Sequence, residues 1–126
     1  MRLYIYIYIF IYFIFIGCES KSMSKKLLQG SSEYKGKDIF ERMACNACHS
    51  IDGSLKLGPT MHAQYGMNIR HTDGSISKID DDYIRESIIY PLKYIVEGYT
   101  PIMPSYQPIL SDEDIENIIA YIRSIK

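Results

Sequence analysis

The sequence predicts an all-α domain, with helices and long loops filling residues 33–126. Three observations carry that reading. Ile115, Ile118, Ile119, Ile122 and Ile125 form one apolar stripe at helical spacing near the C-terminus. Ile39, Phe40 and Met43, and then Ile84 and Ile88, repeat the same period in two earlier segments. Only one stretch, Met67 to Ser77, has the pattern of a short hairpin, turning at Asp73-Gly74.

The first residues are expected to form a leader. Arg2 is followed by an unbroken apolar run from Leu3 to Ile16, then Gly17 and Cys18, and from Glu19 the sequence turns polar. The run is short for a helix crossing ~30 Å of hydrocarbon and fits the apolar core of a signal peptide. Phe15-Ile16-Gly17-Cys18 resembles the bacterial lipoprotein cleavage box, so residues 1–17 are expected to be removed and Cys18 lipidated. An uncleaved anchor is the alternative. Either arrangement puts the domain outside the cytoplasm, on the periplasmic or extracytoplasmic face of a bacterial membrane.

Residues 18–32 are rich in Ser and Lys, with little apolar surface to build a core. A flexible linker of this length spans ~20 Å. It leads into the folded domain, residues 33–126. There ten Lys and Arg stand against fourteen Asp and Glu, a formal balance of −4. Nothing in that acidic balance suggests a nucleic-acid binder, which would carry basic patches.

The first helix is expected from about Glu33 to Met43, with Ser31 or Ser32 as cap. Cys45-Asn46-Ala47-Cys48-His49 follows at its end. Two thiols at this spacing add across the two vinyl groups of one porphyrin, and the next histidine is held beneath the ring to ligate the iron. The motif therefore predicts one covalent haem c. A redox dithiol would need a βαβ setting, and a zinc site a second ligand pair at matching spacing; the sequence offers neither. The cysteines are then all assigned: Cys45 and Cys48 to haem, Cys18 to lipid.

The second helix is expected from about Asp81 to Tyr90, favoured by the carboxylates of Asp80, Asp81 and Asp82 at its N-terminus and ended by Pro91. The last helix begins at a capping-box pattern, Ser111 with Asp114.

The candidates for the sixth iron position are Met61, His62, Met67, His71 and Met103. Met61 and His62 lie a short loop from His49. His71 falls near the hairpin tip, where solvation is the default. Met103 sits in Pro101-Ile102-Met103-Pro104, a loop stiffened on both sides by proline just ahead of the last helix. Met103 is the expected ligand.

Cys45 to His49, Leu57-Gly58-Pro59-Thr60, Pro101 to Pro104 and Ala120-Tyr121-Ile122 resemble the class I cytochromes c. Asp73-Gly74-Ser75, Tyr83 to Ile88 and Gly98 to Tyr106 more closely resemble the cytochrome c domain ending subunit II of haem-c-containing cytochrome oxidases. The resemblance implies the class I cytochrome c fold, with His49 and Met103 as axial ligands and the Pro59 carbonyl accepting the other imidazole proton. It also implies that the first and last helices cross at Gly36, Phe40 and Tyr121. That subunit carries two membrane helices and a copper-binding domain upstream. The expectation here is the cytochrome module alone, as a separate lipidated protein.

With both axial positions filled, electron transfer is the chemistry left to the iron. The sequence predicts a membrane-tethered, single-haem carrier between a quinol-oxidising complex and a terminal oxidase, and not an enzyme. Two alternatives stand beside it: a cytochrome subunit bound permanently in an oxidase or quinol-oxidising complex, and a haem peroxidase or gas sensor. Tyr99, Tyr106 and Tyr121 are each expected to line the haem pocket, to hydrogen-bond a haem propionate or to pack in the core.

Overall fold

A computed structural model describes residues 30–126. The expected signal peptide, Cys18 and nearly all of the linker lie outside them. Ser32–Lys126 forms one compact unit.

Four helices and one hairpin make up the described residues: α1 (Ser32–Arg42), α2 (Cys45–Cys48), β1 (Asn68–Arg70), β2 (Ile76–Lys78), α3 (Asp81–Ile89) and α4 (Asp112–Ser124). α1 buries Gly36, Ile39 and Phe40 on one face, and that face meets α4. A side chain at Gly36 would put its Cβ 1.8 Å from the Asn117 carbonyl oxygen, so glycine is what lets the two backbones cross this closely. Beside the crossing, Phe40 and Tyr121 meet edge to face with centroids 5.5 Å apart.

α4 forms where its cap and stripe predict. The Ser111 hydroxyl accepts from the Asp114 N–H, and the Asp114 carboxylate accepts from the Ser111 N–H at 3.0 Å. Ile115, Ile118, Ile119 and Ile122 are buried, while Ile125 is half-buried. α3 is capped by Asp80, whose carboxylate accepts from the Tyr83 N–H at 3.0 Å, and it sends Ile84 and Ile88 into the same core.

Between Arg42 and Cys45 the chain turns sharply through Ala44, at φ 56°. The cysteine motif follows the first helix, as expected, and forms a separate turn of helix of its own.

The hairpin pairs Asn68 with Lys78, Ile69 with Ser77 and Arg70 with Ile76. Its turn uses Gly74 at φ 84°, a conformation that suits glycine. One expectation is corrected here: His71 is not solvated but 1% exposed. A distant segment covers it. Thr72 N–H donates to the Ile95 carbonyl at 2.8 Å, Glu97 N–H donates to the Arg70 carbonyl at 3.0 Å, and His71 bridges to Val96. The imidazole packs against both Tyr83 and Tyr94, which also stack on each other with centroids 6.0 Å apart, and its Nε2 is 3.0 Å from the Ser77 hydroxyl.

Candidate functional site

A cavity of about 200 Å³ opens between the cysteine turn, α3, α4 and the loop before α4. Its walls are built from what the helices present inward. α1 gives Phe40, α3 gives Ile84 and Ile88, and α4 gives Ile118 and Ile122. No Asp, Glu, Lys or Arg is among the described residues that line it. So apolar a chamber suits a large, flat, hydrophobic group and excludes water from whatever it holds.

Cys45, Cys48 and His49 together line one part of that chamber, because a single turn of helix projects them from α2. Both thiols are free. Burial raises the Cys45 pKa above its ordinary 9.0, with a further push from Cys48 and a partial offset from a backbone hydrogen bond. Cys45 therefore rests as the neutral thiol.

His49 is the most constrained side chain of the site. A carbonyl oxygen can only accept, so its Nδ1–H donates to the Pro59 carbonyl, at 2.7 Å. Nε2 is left as the lone-pair nitrogen. Gly58 closes over the ring: a Cβ there would stand 2.6 Å from Cε1 and 3.0 Å from Nε2. Gly58 N–H in turn donates to the Cys48 carbonyl at 2.9 Å. Burial lowers the imidazole pKa below 6.5, outweighing the opposing pull of the Pro59 bond, and Lys56 lowers it further. The ring is neutral, oriented, and has one nitrogen free for a metal.

Of the five candidates for a sixth ligand, Met61 and Met103 line the cavity; His62, Met67 and His71 do not. The Met61 N–H donates to the Ser50 carbonyl at 2.7 Å, which ties Met61 to the arm carrying His49. Met103 is carried by the loop ahead of α4, flanked by Pro101 and Pro104, which also line the chamber. Its loop is fastened to the end of α3: Tyr106 N–H donates to the Ile88 carbonyl at 3.1 Å, and Ser105 Oγ to the Ile89 carbonyl at 2.6 Å. The Tyr106 hydroxyl reaches back to the Met43 carbonyl at 3.3 Å, linking this loop to the end of α1.

Tyr99 and Tyr106 line the cavity, whereas Tyr121 belongs to the α1–α4 crossing. Sequence reasoning missed Tyr83, Tyr94 and Gln64, which also line it. Tyr83 was legible in principle. Tyr83 with Ser87, and Ile84 with Ile88, are i, i+4 pairs that mark one inward face of α3. Nothing local to Tyr94 or Gln64 points inward.

Two thiols on one turn, an oriented neutral imidazole beside them, a thioether on the same chamber and apolar walls define a site for covalently attached haem. The residues present fit that group. A profile of the cytochrome c family matches residues 34–126, and the chain belongs to that family. Cytochrome c oxidase subunit 2 of Alkalihalophilus pseudofirmus is 29% identical over 92 residues, covering 73% of this chain and 25% of that protein. The chain thus spans about a quarter of that relative's length. Membership implies the class I cytochrome c fold, one covalently bound haem c and a role in electron transport.

Proposed function

We propose that this chain is a membrane-tethered mono-haem cytochrome that carries single electrons in a respiratory chain, delivering them to a terminal oxidase. In this reading Cys45 and Cys48 would hold the haem through two thioethers, and His49 Nε2 and Met103 Sδ would ligate its iron. The haem, when bound, supplies reversible one-electron chemistry at its iron.

The chain's own residues decide the rest. The Pro59 carbonyl fixes His49 in the tautomer that offers Nε2 to metal. The proline-flanked loop holds Met103 with little chain entropy left to lose on ligation. A thioether ligand beside an imidazole would favour the reduced ion and raise the potential. The apolar walls keep water from the ring, so little solvent need reorganise when charge changes.

The single observation behind this reading is that His49, with Nδ1 already engaged by Pro59, and Met103 line one apolar cavity. An iron saturated by two protein ligands has no vacancy for substrate, which favours a carrier over a peroxidase. Cys18, lipidated and joined through residues 18–32, would confine the domain to the extracytoplasmic membrane surface. Encounter with partners is then a search at raised local concentration.

The purified reduced protein should stay reduced in air. It should oxidise within a mixing experiment once membranes containing a terminal oxidase are added. Rapid oxidation by oxygen or peroxide alone would contradict the proposal. The likeness to an oxidase subunit favours a second reading, a cytochrome subunit held permanently in an oxidase. Detergent extraction separates the two. A carrier's haem c migrates alone, and a subunit's migrates with a large complex.

A further inference from the structure

Ser50, directly after His49, is buried at 2% exposure, although alanine would fill the space without a hydroxyl to satisfy. Its Oγ donates to the Ser54 carbonyl at 2.6 Å and lies 2.8 Å from the Thr60 hydroxyl oxygen. Each hydroxyl has one hydrogen. The Ser50 hydrogen is shared between the Ser54 carbonyl and the Thr60 oxygen, and the Thr60 hydroxyl donates its own to the Ser50 carbonyl at 3.2 Å. Thr60 Oγ1 also accepts from the His62 N–H at 3.1 Å. The result is a hydrogen-bonded chain that joins Ser54, Ser50, Thr60 and His62.

The placement of that chain matters. Ser50 follows His49, and Thr60 follows Pro59. Gly58 N–H to Cys48 O at 2.9 Å lies on one side of the His49–Pro59 bond, and Met61 N–H to Ser50 O at 2.7 Å on the other. The two arms are laced together at three successive levels. Residues 51–57, which join the arms, are all exposed, so no core packing holds this loop in place. Hydrogen bonds do that work.

We propose that Ser50 and Thr60 are positioning residues for the axial imidazole, holding the Pro59 carbonyl on His49 Nδ1–H and so setting how strongly His49 donates to iron. This rests on His49 being the iron ligand, as proposed above. Donation from Nδ1–H to a carbonyl leaves electron density on the ring and makes Nε2 a better donor. A better donor stabilises the oxidised ion more than the reduced one and lowers the potential. Loosening the clamp therefore raises it. The two hydroxyls act through one bond, so their effects are not additive.

The test uses the haem-loaded full chain and measures midpoint potential, denaturant stability and haem retention in acidified acetone. Ser50→Ala and Thr60→Val should each shift the potential upward, and the double variant should shift it by less than the sum. Thr60→Ser, which keeps the hydroxyl, should restore the parent value. Thr60→Val preserves side-chain shape and reads the proposal on its own if Ser50→Ala does not load haem. A potential that is unchanged or lowered while stability falls would overturn the positioning role and leave a purely structural one. Failure of the site reading looks different: the parent protein itself would then release its pigment into the acetone.

Discussion

The Nδ1 of His49 and the carbonyl oxygen of Pro59 stand 2.7 Å apart, and that single bond decides which imidazole nitrogen faces the cavity. Nine residues of chain separate the partners, and one of them, Gly58, roofs the ring. The imidazole is thus fixed in orientation and tautomer by its own chain before any metal is considered.

Met103 should govern potential and closure together. Met103→Ala removes the only thioether brought to the cavity by the loop ahead of α4. The potential should fall, and carbon monoxide should bind the reduced variant. A redox titration and a difference spectrum on adding carbon monoxide check both.

Gly36 should tolerate nothing larger. In Gly36→Ala the new Cβ meets the Asn117 carbonyl at 1.8 Å, and backbone cannot swing aside as a side-chain tip can. Overpacking typically costs ~1–3 kcal/mol, occasionally more. A loss at or above the top of that range is expected in guanidinium unfolding of the haem-loaded protein.

The α4 cap should contribute on a smaller scale. Ser111→Ala removes the hydroxyl that accepts from the Asp114 N–H at 3.2 Å, and should cost about 1 kcal/mol with the haem spectrum unchanged. Denaturant midpoints at constant slope measure it.

Acid should weaken the fold in two steps. Burial holds the folded His49 pKa below its unfolded value of 6.5, so below pH 6.5 the unfolded chain binds more protons than the native one. Stability from this group is complete above pH 6.5 and is lost as pH falls toward the folded pKa. The carboxylates of Asp81 and Asp114 are held below 3.8, chiefly by hydrogen bonds from Tyr65 and Ser111 respectively. Their share is present above pH 3.8 and disappears only below it. Urea unfolding across pH 7 to 3 should show the imidazole-linked decline beginning first. Stability that stays flat until the carboxylates titrate would count against a neutral, buried His49.

What was legible followed from range along the chain. The α4 cap and stripe lie within fifteen residues, and a periodic reading recovers them because capping and amphipathicity are local. The Cys45 to His49 motif is equally local, since one helical turn suffices to gather two thiols and an imidazole. The His49–Pro59 bond is not readable from spacing, and only the family resemblance implied it. His71 was misjudged for a related reason. Near a hairpin tip the default is exposure, and nothing in Met67 to Ser77 announces that residues 95–97 will pair alongside and bury it. The turn at Ala44 was likewise hidden, because alanine is a common helix former and carries no sign of a φ of 56°. Ser50 carries no signal of its own in the sequence, and only its burial singles it out.

Carbon monoxide added to the reduced, haem-loaded protein puts the central claim most directly at risk. If His49 and Met103 both hold the iron, the visible spectrum stays as it was. A spectrum that shifts promptly to that of a carbon monoxide adduct means the iron has an open position, and a saturated electron carrier is then the wrong description.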